Sequence, residues 1–254
     1  MTIDFSGKTI LVTGASGGIG RAIAKEFAEA GGTVAVHYNT NSEGAVETHK
    51  NLPAGGNFTV QADVSDAAAV KNMVEDVAEK TGRLDILVNN AALIEQFDFD
   101  DLAYDEWQAV WRRTTDANLI GPALVSYCAI REMKKVGGGK IVNISSRGAF
   151  RGEPKAPAYG ASKAGLNAFG QSMALAVAKD NIFIYTLAPG YVETDRVAPL
   201  LEGAAGEKIR KQSPFGRVAK PEEVARAALL LASEGTDFMT GCIVDINGAS
   251  YLRS

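Results

Sequence analysis

The sequence predicts an α/β fold: one doubly wound domain, residues 1–254, whose seven-stranded, mainly parallel sheet carries helices on both faces. Three observations carry this reading. A short β-branched run followed by a helical stretch recurs along the whole chain. No repeat of fixed period and no linker rich in Pro, Ser or charge interrupts the series. A glycine-rich turn follows the first strand directly. Strands that alternate with helices form βαβ units, and parallel strands need helical cover on both sides.

The elements follow in order. Lys8–Val12 leads into a helix over Gly18–Ala30, which Gly31-Gly32 ends with residues that tolerate a left-handed backbone. Thr33–Tyr38 leads into Glu43–Lys50, Asn57–Gln61 into Asp66–Thr81, and Leu84–Val88, after a loop, into Tyr104–Val136. Lys140–Ile144 leads into Pro157–Lys179. Ile182–Leu187 leads, after a long connection, into Pro221–Ser233, and Cys242–Ile246 closes the series. Lys220-Pro221-Glu222-Glu223 puts Pro and acids in a first turn, where the helix dipole prefers them.

Composition narrows the class. Hydrophobic residues are 46% and charged residues 22%, which excludes disorder. Lys+Arg is 26 against 30 Asp+Glu, a net charge of −4, so no nucleic-acid or polybasic membrane partner is expected. Cys128 and Cys242 form no Cys-x-x-Cys pair, and with only His37 and His49 beside them no metal cluster is expected. Met1–Phe5 lacks the basic and apolar regions of a leader. The uncharged stretches Ala117–Ile130 and Ala164–Ala178 fall short of the ~18 residues of a membrane span. A cytoplasmic protein is expected. Those two stretches carry no charge on any helical face, which predicts self-association into a homo-oligomer.

Thr13-Gly14-Ala15-Ser16-Gly17-Gly18-Ile19-Gly20 lies between the first strand and the first helix. Gly14 permits a sharp turn, and Gly18 and Gly20 permit close approach of a pyrophosphate to amides at the helix start. With Ser16, Gly17 and Ile19 these residues predict a dinucleotide cradle of Rossmann type.

Tyr159 and Lys163 are four residues apart near the start of a helix, so the phenol and the ammonium share one face. A nearby positive charge favours the phenolate and is expected to lower the Tyr159 pKa. Ser146 ends the fifth strand, at the carboxyl edge where open α/β sheets bind ligands, while alternation points Ser145 the other way. Asn118 precedes Gly121-Pro122, where Pro breaks the helical ladder. Tyr159 is expected to move a proton, Ser146 to hold the substrate oxygen, and Lys163 to tune Tyr159.

These motifs together resemble the classical short-chain dehydrogenase/reductase family. The Gly-x-x-x-Gly-x-Gly spacing, Asn89-Asn90-Ala91-Ala92 (Ala92 where Gly is usual), Ser146, the Tyr159–Lys163 pair and Pro189-Gly190-Tyr191-Val192-Glu193-Thr194 carry the resemblance over nearly the whole chain. It implies that Asp63 and Val64 contact adenine and that Asn90, Ala91 and Ala92 line the cofactor. It further implies that Asn118 helps hold a relay water and that Lys163 also holds the nicotinamide ribose. Pro189, Gly190, Val192 and Thr194 would hold the carboxamide side. At the end of the second strand, where members that prefer NAD carry an acid, stand Tyr38, Asn39, Thr40, Asn41 and Ser42, so NADP(H) is expected over NAD(H). His37 reads as a strand residue facing a neighbour.

The implied activity is hydride transfer between nicotinamide and a small-molecule carbonyl or secondary alcohol. The alternatives are a 3-oxoacyl-thioester reductase, a sugar or polyol dehydrogenase, and a non-enzymatic nucleotide sensor. The resemblance includes 3-oxoacyl-carrier-protein reductases, but Asp180 and Gly137–Gly139 stand where those place basic residues. Leu93, Ile94, Phe97, Phe150, Pro154 and Tyr191 are expected to line the substrate pocket, and residues 191–215 to form a lid. Arg147, Arg151 and Arg196 flank the site as candidate anion ligands.

Overall fold

In the computed structural model residues 3–253 are described; Met1, Thr2 and Ser254, and with them part of the N-terminal stretch read above, lie outside the described residues. The strands are β1 (Thr9–Val12), β2 (Thr33–Tyr38), β3 (Phe58–Gln61), β4 (Ile86–Asn89), β5 (Gly139–Ile144), β6 (Ile182–Pro189) and β7 (Ile243–Ile246). The helices are α1 (Gly18–Glu29), α2 (Ser42–Lys50), α3 (Ala67–Thr81), α4 (Tyr104–Thr115), α5 (Gly121–Lys135), α6 (Gly148–Arg151), α7 (Pro157–Val177), α8 (Gly203–Arg210) and α9 (Pro221–Ala232).

The strands form one sheet in the order β3-β2-β1-β4-β5-β6-β7. Every pairing is parallel. Parallel neighbours need a crossover, and the helices that supply it bury the sheet from both sides. α1, α2 and α9 cover one face through Ile23, Phe27, Ala45, Val224 and Leu231. α3, α5 and α7 cover the other through Val70, Met73, Val125, Met133 and Ala174. The chain winds outward from β1 to β3 and then returns to lay β4 on the other side of β1. That reversal opens a crevice at the carboxyl ends of β1 and β4, the place where doubly wound sheets take ligands.

Two segments refine the expected series. The helical stretch expected over Tyr104–Val136 breaks before Pro122, as expected, and the break takes the form of a π-helical turn at Asp116–Ile120 between α4, which ends at Thr115, and α5. Pro122 carries no N–H and cannot donate to the Asn118 carbonyl four residues back, so the α-helical ladder fails there. The 191–215 connection, expected without regular structure, contains a 3₁₀ turn at Ala198–Leu201 and the helix α8. Gly203, Ala204, Ala205 and Gly206 gave α8 no apolar stripe to read.

Candidate active site

The glycine turn sits at the crevice. Gly14 has φ +64°, and a Cβ there would lie 2.9 Å from the Ala91 Cα. A Cβ on Gly20 would lie 2.3 Å from the Gly14 carbonyl oxygen, so the start of α1 presses directly on the turn. Gly18 faces the Thr194 methyl, and around Gly17 there is open space. α1 begins with no side-chain cap and no acid in its first turn. Its leading amides therefore lack a side-chain acceptor, and the cradle fits the pyrophosphate of a dinucleotide.

Residues outside the predicted set hold this turn. The Thr13 hydroxyl accepts from the amides of Asn90 and Ala91 at 2.9 and 3.0 Å. The Asn90 side-chain amide donates to the carbonyls of Thr13 and Gly14 at 2.9 and 3.1 Å. Asn90 is thus a strut for the turn. Arg21 donates to the Ser16 carbonyl at 3.0 Å and pairs with Glu47, while the Thr48 hydroxyl donates to the Ala15 carbonyl at 3.0 Å. These contacts pin α2 to the turn. Nothing in the spacing of Thr13, Arg21 or Thr48 marks them, because each acts through a fold contact far away in sequence.

At the outer end, Tyr38 is half-buried and Asn39, Thr40, Asn41 and Ser42 are exposed. No carboxylate stands among these five residues. Asn41 caps α2 by accepting from the Gly44 amide at 2.9 Å, which leaves only its amide nitrogen as a donor. The Asp63 carboxylate accepts from the Ser65 amide and hydroxyl at 2.8 and 2.6 Å. Those bonds, with help from Asn39, hold its pKa below the ordinary range. Val64 is buried against Gly121, where a Cβ would meet its carbonyl at 2.8 Å.

The chemistry-bearing residues converge from β5, α7 and the π-helical turn. Ser145 turns its hydroxyl to the Lys163 carbonyl at 3.2 Å, whereas the Ser146 hydroxyl accepts from the Gly148 amide at 3.0 Å and acts on the Tyr159 phenol. The Lys163 ammonium is 2% exposed, donates to the Ile144 carbonyl at 2.8 Å and lies 5.8 Å from the Tyr159 ring centre. Burial, with the positive charge of Arg196, lowers its pKa to about 7. The Tyr159 pKa is raised by burial, with Ser146 and Arg196 opposing. This corrects the expectation that Lys163 lowers it: desolvation dominates, and the positive charge that opposes it is that of Arg196. Asn118 is fully buried, and its side chain bonds the backbone of Leu93 and the Ser162 hydroxyl.

The loops over the mouth are also fixed. Val192 bridges to Ala219, and the Gly190 amide donates to the Ile246 carbonyl at 3.0 Å. The Pro189 carbonyl accepts from the Arg147 amide at 2.8 Å. Arg196 reaches the Ala92 carbonyl at 3.4 Å and Arg151 reaches Gln212 at 3.4 Å; neither pairs with a carboxylate among the described residues. Two expected pocket residues have other partners: Phe150 lies under the Arg253 guanidinium at 4.4 Å, and Tyr191 under that of Arg147 at 5.3 Å. Tyr191 and the buried Arg147 line a cavity of about 240 Å³ that none of Ser146, Tyr159 and Lys163 borders. Phe97 packs edge-on against Trp107, with 5.7 Å between ring centres.

A family model described as enoyl-(acyl carrier protein) reductase matches residues 14–249. The chain is 36% identical to 3-oxoacyl-[acyl-carrier-protein] reductase FabG of Aquifex aeolicus over 99% of this chain and 100% of that protein. It is 36% identical to cis-4-hydroxycyclohexanecarboxylate dehydrogenase of Sinomonas cyclohexanicum over 96% of each chain. A crystal structure of a dehydrogenase/reductase from Sinorhizobium meliloti 1021 is similar with a TM-score of 0.90 and 28% identity, covering 99% of this chain and 98% of that one.

Proposed function

The chain belongs to the classical short-chain dehydrogenase/reductase family and is an NAD(P)-dependent oxidoreductase, and from that premise we propose that it uses NADP(H) to interconvert a carbonyl compound and a secondary alcohol through Ser146, Tyr159, Lys163 and Asn118. The observation that carries the assignment is the convergence of Ser146 and Tyr159 beside the buried Lys163, at the carboxyl edge of the sheet. A bound nicotinamide would supply the hydride chemistry at the substrate carbon. Ser146 donates a hydrogen bond to the substrate oxygen. Tyr159 gives that oxygen its proton in reduction and removes it in oxidation. Lys163, anchored on the Ile144 carbonyl, would hold the nicotinamide ribose and return a proton to the phenol. An amine with a pKa of about 7 suits this task, because it gives and takes a proton near neutrality.

The open space at Gly17 and the absence of a carboxylate at Tyr38–Ser42 support NADP(H), since nothing acidic there would repel a 2′-phosphate. Thr194 over Gly18 and Arg196 on Ala92 support a lid role for the 191–215 segment. Tyr127 on α5 and Leu175 on α7, 62% and 88% exposed, support self-association through those helices, with a tetramer expected. Cys128 and Cys242 are both free, which suits the reducing conditions of the cytoplasm; among the described residues no helix is long and apolar enough to cross a membrane.

One observation favours a second reading of the substrate. The Arg196 guanidinium at the mouth has no carboxylate partner among the described residues, and one relative acts on a hydroxycyclohexanecarboxylate. A substrate acid group would supply that partner. Against a carrier protein, Lys134 is paired with Asp180 at 2.7 Å and Lys135 with Glu132 at 2.5 Å. The deciding experiment follows NADPH oxidation over ketones, keto acids, sugars and 3-oxoacyl thioesters. Turnover lost in Tyr159→Phe supports the assignment; tight NADPH binding with no turnover on any class returns the chain to the sensor reading.

A further inference from the structure

We infer that His37 is a positioning residue for the dinucleotide: its imidazole fixes the Gly14 amide, and through it the shape of the turn that receives the pyrophosphate. The inference builds on the proposed dinucleotide cradle.

His37 lies in β2 and is 1% exposed. Its Nδ1 is 2.9 Å from the Gly14 nitrogen and its Nε2 is 3.0 Å from the Ala62 carbonyl oxygen. A backbone amide only donates and a carbonyl only accepts. One neutral tautomer therefore satisfies both, with the lone pair at Nδ1 and the proton at Nε2. The backbone carbonyl of His37 accepts from the next amide, that of Ala15, at 2.8 Å. One residue thus holds two successive amides of the turn and is itself anchored beyond β3.

Sheet pairing alone does not account for this. The β1–β2 ladder ends at Val12↔Val36, so His37 stands one residue past its last pair. From there the ring reaches Gly14, which has φ +64° and, as a glycine, no side chain of its own to hold that conformation. Without a fixed partner its amide is free to rotate, and the amides of Ser16–Ile19 that follow lose a common direction. Burial supports the arrangement by keeping the imidazole neutral, its pKa lowered to about 4; the Ala62 carbonyl and Asp63 pull the other way.

Three proteins test this: wild type, His37→Phe, which has similar volume and neither hydrogen bond, and His37→Gln, which keeps one acceptor and one donor. NADPH affinity is read by nicotinamide fluorescence, and exchange of the Gly14 amide is read in protein without nucleotide. The Phe variant is expected to bind NADPH about tenfold more weakly, because the half-buried Gly14 amide loses its acceptor. Its kcat at saturating NADPH stays within about twofold, its Gly14 amide exchanges faster, and Gln restores most of the affinity. If Phe prevents folding, His37→Leu, which is smaller and likewise makes neither hydrogen bond, takes its place with the same expectation. A Phe or Leu variant that binds NADPH as wild type does, or whose Gly14 amide exchanges as slowly, overturns this inference alone. Wild-type protein that binds neither NADPH nor NADH overturns the functional proposal and this inference together.

Discussion

The Asn118 side chain holds both backbone polar groups of Leu93: it accepts from the Leu93 amide and donates to the Leu93 carbonyl, each at 2.7 Å. It thereby ties the π-helical turn to the segment after β4, and through Ser162 it reaches the Tyr159 carbonyl. Asn118→Ala leaves both Leu93 groups without partners, a loss of about 2 kcal/mol. The expected outcome is a melting temperature lower by roughly 4–8 °C together with reduced kcat. A calorimetric scan checks it, and an unchanged midpoint would show that Leu93 finds other partners.

Tyr159→Phe removes the proton-bearing oxygen and leaves the ring. Activity in either direction is expected to fall by roughly 10²–10⁴, with NADPH binding within a few-fold of wild type. Lys163→Met is expected to weaken nucleotide binding as well as turnover. Steady-state kinetics alongside fluorescence titration separates the two patterns; equal losses of binding in both variants would contradict the roles assigned here.

Arg196 lowers the pKa of both Tyr159 and Lys163, so its removal raises both. In alcohol oxidation Tyr159 must be unprotonated to take the proton. The rise of rate with pH is therefore expected to move to higher pH in Arg196→Ala. If the substrate carries an acid group, KM for it also rises while KM for a neutral analogue does not. A pH–rate series on matched acid and neutral ketones reads both effects.

A carboxylate at the end of β2 is expected to reverse cofactor choice. Tyr38→Asp places a negative charge where a 2′-phosphate would lie and offers an acceptor to ribose hydroxyls. The ratio of kcat/KM for NADPH to that for NADH should exceed one in wild type and fall at least tenfold in the variant. A wild-type preference for NADH would refute the NADP(H) assignment.

His37 also sets an acid limit on stability. Its folded pKa of about 4 lies below the ordinary 6.5, so between those values the unfolded chain binds more protons. Stability is full above pH 6.5, falls as the pH drops toward 4, and loses on the order of 3 kcal/mol from this group. Urea midpoints measured at pH 7 and pH 4.5 should differ less in His37→Gln than in wild type.

The sheet was legible because its strands are continuous apolar runs: Ile10, Leu11 and Val12 are all fully buried, as a parallel strand between two helical layers requires. The Tyr159–Lys163 pair was legible because four-residue spacing fixes a helical face whatever the surroundings. Burial was not legible, and it reversed the direction expected for the Tyr159 phenol. Nor were the long-range partners. His37 meets Gly14, 23 residues away, and Thr13 meets Asn90, 77 residues away, and no local pattern encodes either contact. Phe150 and Tyr191 were assigned to the pocket by proximity in sequence, whereas arginines from elsewhere in the fold cover their rings.

The π-helical turn at Asp116–Ile120 holds one residue more than an α-helical turn, and the wider turn takes that residue up with little change of bearing between α4 and α5. The backbone there thus stores an insertion without disturbing helix phase, so Trp107 and Trp111 keep their orientation while α5 stays on the sheet.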